Sequence, residues 1–95
     1  MYTRMVTATI LPGKLEAAIQ LWKESVAPTT RLQKGFINAC LFVDRNVGRI
    51  RTIGFWQTEA DFQASVPWNQ EQLARFAALF AVPPIVEGYE FVAEV

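Results

Sequence analysis

Apolar and polar residues follow a period of two along four stretches of the chain. Residues 3–11 are rich in β-branched side chains, and strand-like stretches follow at 36–44, 49–56 and 85–95. This period is typical of β-strands, because successive side chains point to opposite faces of a sheet. The segment 44–48 contains Asp, Asn and Gly, which favour tight turns, so the second and third strands are predicted to form a hairpin.

A first helix is predicted directly after the first strand. Pro12-Gly13 ends that strand, and from Lys14 onward apolar residues recur every three or four positions. Pro28 is expected to kink or end this helix, because proline has no N–H to donate. A last turn is expected to run through residues 30–33, with Gly35 as the stop.

A second helical region is predicted after the third strand. Thr58 is a good N-cap, and Asp61 three residues later gives a pattern like a capping box. Pro67 is expected to interrupt the first short helix, and helical spacing resumes over 68–80. Pro83-Pro84 then ends the region.

The predicted order is β-α-β-β-α-β, which is the ferredoxin-like arrangement of the α+β class. It predicts a four-stranded antiparallel sheet with both helical regions on one face. Ninety-five residues are too few for two cores of useful size, so residues 1–95 are predicted to form a single domain.

The second strand is apolar on both of its predicted faces. The two alternating sets are Phe36, Asn38, Cys40 and Phe42 on one side, and Ile37, Ala39, Leu41 and Val43 on the other. A large apolar side chain left in water forgoes roughly 1.5–3 kcal/mol. We therefore predict a homodimer in which a second copy covers the outer face.

Charge and cysteine content narrow the choice of partners. Nine basic residues balance nine acidic ones and are scattered, which argues against nucleic acid or an anionic membrane as a partner. Cys40 is the single cysteine and has no internal partner, which fits a reducing compartment. The N-terminal residues lack the apolar core of a signal peptide, so we expect a cytoplasmic protein.

The residue content also limits the chemistry. The chain has no histidine, so a zinc or iron site and a serine or cysteine triad both lack their usual groups. Asp44, Glu59 and Asp61 lie at predicted turns or caps, where solvation and capping explain them. We expect no metal and no cofactor.

Three segments carry a family resemblance. They are Pro12-Gly13-Lys14 at the first helix, Pro28 ahead of the Gly35-Phe36 strand start, and Trp56-Gln57-Thr58-Glu59-Ala60-Asp61-Phe62 where the sheet meets the second helix. In these features the chain resembles the antibiotic biosynthesis monooxygenase-like family over nearly its whole length. The resemblance implies a dimeric α+β barrel. It also implies one of several activities, including cofactor-independent oxygenation of aromatic polyketides and haem degradation.

The resemblance singles out Trp56 and two positions near it. The polyketide oxygenases use a tryptophan at this strand end, an asparagine four residues earlier and a tyrosine six residues later. Here those two positions hold Thr52, which can hydrogen-bond a substrate oxygen, and Phe62, which has no donor. The haem-degrading branch needs a histidine ligand that this chain lacks. Trp56 and Thr52 are therefore the predicted catalytic residues, and Phe62 a predicted substrate contact.

Three other polar residues on apolar strands are predicted to bind substrate: Asn38, Arg51 and Tyr89. Each also has a purely structural interpretation, and for Arg51 that interpretation is pairing with Glu90 or Glu94 across the sheet. Trp56 could likewise be an ordinary core residue.

The predicted function is that of a cofactor-independent monooxygenase-like protein acting on a small aromatic or quinone-type compound. The substrate itself would supply the electrons for dioxygen, and the protein would supply a dry pocket. The alternatives are a non-catalytic dimer that binds a small molecule or acts under stress, and a structural interaction module with no cavity beside Trp56.

Overall fold

The computed structural model describes all 95 residues and contains four strands. They are β1 (Tyr2–Thr9), β2 (Phe36–Asp44), β3 (Arg49–Trp56) and β4 (Ile85–Glu90). The bounds of β2 and β3 are those predicted from the alternation. All strand pairs are antiparallel, in the order β2-β3-β1-β4.

The helices lie on one face of this sheet, so the predicted α+β, ferredoxin-like fold is confirmed. Residues of β1 and β3 that face the helices form the core with the first helix and Phe76. The central members of the core are Ala8, Ile10, Ala18, Val26, Ile50 and Phe76. No helix is both long and apolar enough to cross a membrane.

The first helical region continues past Pro28. It consists of α1 (Leu15–Leu21), one π-helical stretch (Trp22–Val26) and α2 (Ala27–Thr30). Pro28 lies at the start of α2, directly after the π-helical stretch. The turn of the π-helical stretch is wider than that of an α-helix and accommodates a residue without an N–H. For this reason Pro28 does not end the helix, which was one of its two expected effects.

The second helical region begins as predicted. The Thr58 side chain accepts a hydrogen bond of 3.0 Å from the Asp61 amide, which caps α3 (Glu59–Ala64). After Ser65 the chain forms α4 (Val66–Arg75) and a short 3₁₀ turn (Ala77–Leu79).

Three details of the predicted strands are wrong. The first strand was predicted over residues 3–11, but β1 ends at Thr9, and Ile10 forms only an isolated bridge with Phe80. A β-bulge between Phe36 and Asn38 shifts the register of β2, so Phe36 lies on the helix-facing side with Ala39, and not with Asn38 and Cys40. β4 ends at Glu90, although alternation predicted a strand to residue 95. Glu90 lies opposite Tyr2, where β1 begins, and beyond it the Phe91 amide makes one further backbone hydrogen bond, to the Met1 carbonyl at 3.0 Å.

The sheet face turned away from the helices is the open face. It carries exposed apolar side chains on two strands, including Phe42 (52% exposed), Ile85 (60%) and Tyr89 (47%). Asn38 and Cys40 are also exposed there. The open face is thus apolar enough to favour contact with another surface.

Candidate functional site

A cavity of about 60 Å³ lies between the sheet and the helices. Its floor comes from the helix-facing residues of β1 and β3, including Arg4, Thr52 and Trp56. Its walls come from the helices and include Trp22, Val26, Trp68, Asn69 and Gln72. Trp22, Trp68 and Asn69 are partly exposed, so the cavity reaches the surface on the helical side.

Trp56 is held firmly at the end of β3. Its side chain is only 2% exposed and makes edge-on contacts with the rings of Phe36 at 5.8 Å and Phe62 at 6.1 Å. Gly54 leaves the room that the indole occupies, since a Cβ there would lie 2.8 Å from the ring.

Phe62 supports Trp56 from α3. Its ring is also 4.7 Å from that of Tyr2, and a Cβ on Gly88 would lie 2.9 Å from it. Phe62 is buried and lies behind Trp56 in this aromatic cluster. Its role as a substrate contact stays a prediction.

Arg4 is the residue that the sequence analysis missed. It is 3% exposed, and its Nη2 donates to the backbone oxygen of Phe62 at 3.2 Å and to Ser65 Oγ at 2.9 Å. The guanidinium carbon lies 4.8 Å from the centre of the Trp56 ring and 4.5 Å from that of Phe62. An arginine in the same alternating set as Val6, Ala8 and Ile10 was the available signal, because that set faces the core.

Burial alters the acid–base chemistry of Arg4. Loss of water around the guanidinium lowers its pKa from the ordinary value of an arginine to about 10. The group is therefore still a cation at neutral pH. No acidic side chain is paired with it, since the two ion pairs of the chain are Arg45–Glu16 and Arg75–Glu71.

The helical walls of the cavity are tied together by polar contacts. Ser25 Oγ donates to Gln72 Oε1 at 2.9 Å, and Trp68 Nε1 donates to Thr29 Oγ1 at 3.0 Å. These bonds join the first helical region to α4 across the cavity. They fix the distance between the two walls.

The remaining predicted site residues lie on the other side of the sheet. Asn38, Arg51 and Tyr89 belong to the open face, whereas Thr52 and Trp56 face the helices. The six predicted residues therefore do not line one cavity within a chain. The reason is the period of two in a strand, which sends Arg51 and Thr52 to opposite faces.

The open-face residues have partners of their own. Arg51 Nε donates to Thr7 Oγ1 at 3.1 Å, and the predicted pairing of Arg51 with Glu90 or Glu94 does not form. The Tyr89 hydroxyl donates to the Glu87 carboxylate. This hydrogen bond and the negative charge of Glu87 raise the pKa of Tyr89, so the phenol stays neutral.

A family model described as antibiotic biosynthesis monooxygenase matches residues 1–69. The chain belongs to this family. The match includes Arg4, Thr52, Trp56 and Phe62, so the cavity floor and the aromatic cluster lie within the part that defines the family. No curated protein matches the chain significantly.

Solved structures of similar fold agree with this assignment. One is the monooxygenase from the gene ActVA-Orf6 of Streptomyces coelicolor with the ligand nanaomycin D. Its TM-score is 0.82 at 16% identity, covering 99% of this chain and 89% of that one. Another is a mutant of SnoaB, a cofactor-independent oxygenase from Streptomyces nogalater, with a TM-score of 0.82 at 15% identity and coverage of 99% and 95%. PA3566 from Pseudomonas aeruginosa is 26% identical, with a TM-score of 0.72 and coverage of 97% and 94%.

Few polar groups line the cavity of this antibiotic biosynthesis monooxygenase family member. Its polar lining residues are Arg4, Thr30, Thr52, Asn69 and Gln72, together with the indole N–H groups of its tryptophans. No aspartate or glutamate lines it. No group of three or more His, Cys, Asp or Glu residues is arranged to hold a metal ion. The cavity offers apolar walls and hydrogen-bond donors, but it has no side chain that acts as a strong base.

Proposed function

We propose that this protein is a cofactor-independent oxygenase for a small aromatic or quinone-type compound. The observation that carries the proposal is the cavity bounded by Trp56 and Thr52 in a member of the antibiotic biosynthesis monooxygenase family. An apolar cavity with a few polar groups is the usual form of a small-molecule site. Both predicted catalytic residues contribute to its floor.

The reaction that fits such a site draws its electrons from the substrate. An activated ring CH₂ group and one dioxygen yield a ring carbonyl and one water, so the carbon loses four electrons and dioxygen gains four. The contribution of the protein is to hold the ring, exclude bulk water and stabilise negative charge on the substrate oxygen. In this scheme the Trp56 indole N–H and the Thr52 hydroxyl donate to that oxygen.

Oxygen uptake tests this proposal directly. The full chain is incubated with a panel of anthrones and hydroquinones in an oxygen-electrode cell, and the products are analysed after a run with isotope-labelled dioxygen. We expect uptake above the buffer rate and one labelled oxygen atom in the product. Trp56→Phe should lower the rate roughly tenfold or more, as loss of one transition-state donor does in other enzymes. Leu32→Ala, at an exposed turn residue far from the cavity, should leave the rate unchanged.

A second candidate is a non-catalytic dimer that binds a small molecule. The observation in its favour is the absence of a carboxylate or histidine in the cavity lining, which leaves proton removal to solvent. In that case the panel compounds bind without oxygen uptake, and Trp56→Phe changes affinity alone.

We also propose that the protein is a homodimer built through the open face. The support is the exposed apolar groups on both edge strands of that face, Phe42 on β2 and Ile85 and Tyr89 on β4, together with membership of a family whose proteins are often dimeric. A second copy presents the same apolar surface and is therefore a matching partner.

A further inference from the structure

Three buried hydrogen-bond donors around the cavity have no acceptor within the protein. They are Nη1 of Arg4 and the Nε1 atoms of Trp22 and Trp56. All three residues line the same cavity. Buried polar groups normally have partners. Each of these atoms can only donate, so the set is completed only by acceptors from outside the chain.

Arg4 adds a full positive charge to this set. A buried cation without an opposite charge is unfavourable, and the contacts with the rings of Trp56 and Phe62 offset only part of that. Only one of its two terminal nitrogens is used inside the protein, since Nη2 binds Ser65 and the Phe62 carbonyl. A cation arranged in this way beside a cavity is typical of a group that binds a ligand.

No other side chain of the cavity lining neutralises the charge of Arg4. With no aspartate or glutamate in the cavity wall, the one charge that faces the enclosed space is positive. The uncharged part of the lining is mostly aromatic and aliphatic, including Trp22, Trp68 and Phe76. Such a lining matches a flat apolar molecule that carries a single anionic oxygen group.

We propose that the cavity binds an aromatic anion, a ring carboxylate or phenolate, whose charged oxygen is received by Nη1 of Arg4 and by the indole N–H of Trp56. This inference rests on the proposed function, because it names the substrate class of the same site. It also removes a difficulty of that function. A cation that favours the phenolate form takes over part of the work of a base, and the phenolate is the form most easily oxidised.

The size of the cavity determines how such a ligand enters. Its volume of about 60 Å³ is several times the ~10–15 Å³ that one water needs, but less than the ~150 Å³ of an engineered cavity that binds benzene. The three unpartnered donors have almost no exposed surface of their own. A ring must therefore displace wall side chains, and the partly exposed Trp22 and Phe80 can move without breaking a side-chain hydrogen bond, unlike Trp68.

The test compares ligands that differ in charge and hardly in shape. Benzoate and benzamide are titrated into the full chain by calorimetry at neutral pH, under nitrogen and at constant salt. We expect benzoate to bind at least tenfold more tightly, in line with the greater strength of charge-assisted hydrogen bonds. In a second arm, 4-nitrophenol is bound below its own pKa, and its absorbance is expected to change to that of the anion. If only one of the two probes binds, its identity shows whether the site takes a carboxylate, as in benzoate, or a phenolate, as in 4-nitrophenol.

Two substitutions at Arg4 and one elsewhere separate recognition from folding. Arg4→Met should abolish the preference for benzoate and leave benzamide affinity within about threefold, whereas Arg4→Lys should keep part of the preference. Arg45→Met removes an exposed arginine from the turn between β2 and β3 and should leave the preference intact. Arg4→Met should also melt at or above the wild-type temperature, since Ser65 Oγ still donates to the Phe62 carbonyl at 2.7 Å.

Several results would overturn the inference. The first is equal affinity for benzoate and benzamide, which is expected if water satisfies the donors. The second is that no probe binds in a saturable way. The third is a preference for benzoate that persists in Arg4→Met. If aromatic anions bind but no panel compound gives oxygen uptake, the proposed oxygenase function is wrong and the inference about the anion site still holds. Oxygen uptake on neutral rings with no charge preference would do the reverse.

Discussion

Trp56 and Gly54 lie on the same, helix-facing side of β3, and the Trp56 side chain packs directly on Gly54. The indole lies over the glycine backbone, and its six-membered ring fills the volume that a side chain at Gly54 would need. Phe36 and Phe62 close the cluster from two sides, so the indole cannot easily turn away. The position of Trp56 in the cavity floor therefore depends on the absence of a side chain at Gly54.

A double-mutant cycle tests this packing. Gly54→Ala should destabilise the protein by roughly 1–3 kcal/mol, because the added methyl overpacks a buried ring. Trp56→Phe removes the ring atoms that the methyl meets. In that background Gly54→Ala should be close to neutral. Urea unfolding of the four proteins gives the coupling free energy, and an equal cost of Gly54→Ala in both backgrounds would contradict the packing seen here.

The ionisation of Arg4 predicts an unusual dependence of stability on pH. Burial lowers its pKa to about 10 in the folded protein, below the ordinary value that it has in the unfolded chain, so between these values the folded state binds fewer protons than the unfolded state. Linkage then makes the stability of the protein rise with pH across this window, and the penalty for burying the charge is complete only below it.

Comparison with Arg4→Met isolates this contribution. The difference in free energy of unfolding between variant and wild type should be constant from neutral pH upward and should shift in favour of wild type once pH passes about 10. Arg45→Met, at an exposed turn residue, serves as the control for the general effects of alkaline solution. A difference that does not change with pH would mean that Arg4 keeps its proton as readily in the folded state as in the unfolded chain.

At the scale of elements, local sequence decided most boundaries. The hairpin of β2 and β3 was predicted with its observed bounds, since Asp44 and Gly48 supply the turn chemistry: the Asp44 side chain accepts from the Asn46 amide, and Gly48 has a positive φ of 67°. The end of β4 was not predicted. It depends on where β1 begins, and alternation within one strand carries no information about the length of its partner.

The N-cap of α3 gives a test at this scale. Thr58→Ala should lower stability by about 1 kcal/mol, because the amide of Asp61 loses its acceptor at the helix N-terminus. Thr58→Ser keeps a hydroxyl and should recover most of the loss. Thermal unfolding of the three proteins measures both effects. If alanine and serine behave alike, the hydroxyl does not stabilise this helix.

At the scale of the whole molecule, the open face makes the dimer testable. Analytical ultracentrifugation at tens of micromolar should give the mass of two chains. Phe42→Glu should shift the equilibrium to monomer, since it replaces an exposed apolar side chain of the proposed contact with a charge. Leu32→Glu is the matched control, because Leu32 is 81% exposed at a turn outside the sheet. A wild-type protein that sediments as a monomer would remove this part of the proposal.

The order of elements and the family features were determined by the sequence alone. Periods of two and of three to four residues are local properties, and so are the turn and cap residues, so the ferredoxin-like fold could be found by reading along the chain. Trp56 and Thr52 were singled out by the family resemblance, which is likewise a feature of the sequence. Only the tertiary structure decided which polar residues share a space. Arg4 and Trp56 meet because β1 and β3 are neighbours in the sheet, whereas Asn38, Arg51 and Tyr89 are turned to the other face. Those relations depend on strand order, register and a bulge, which arise from contacts between residues far apart in sequence.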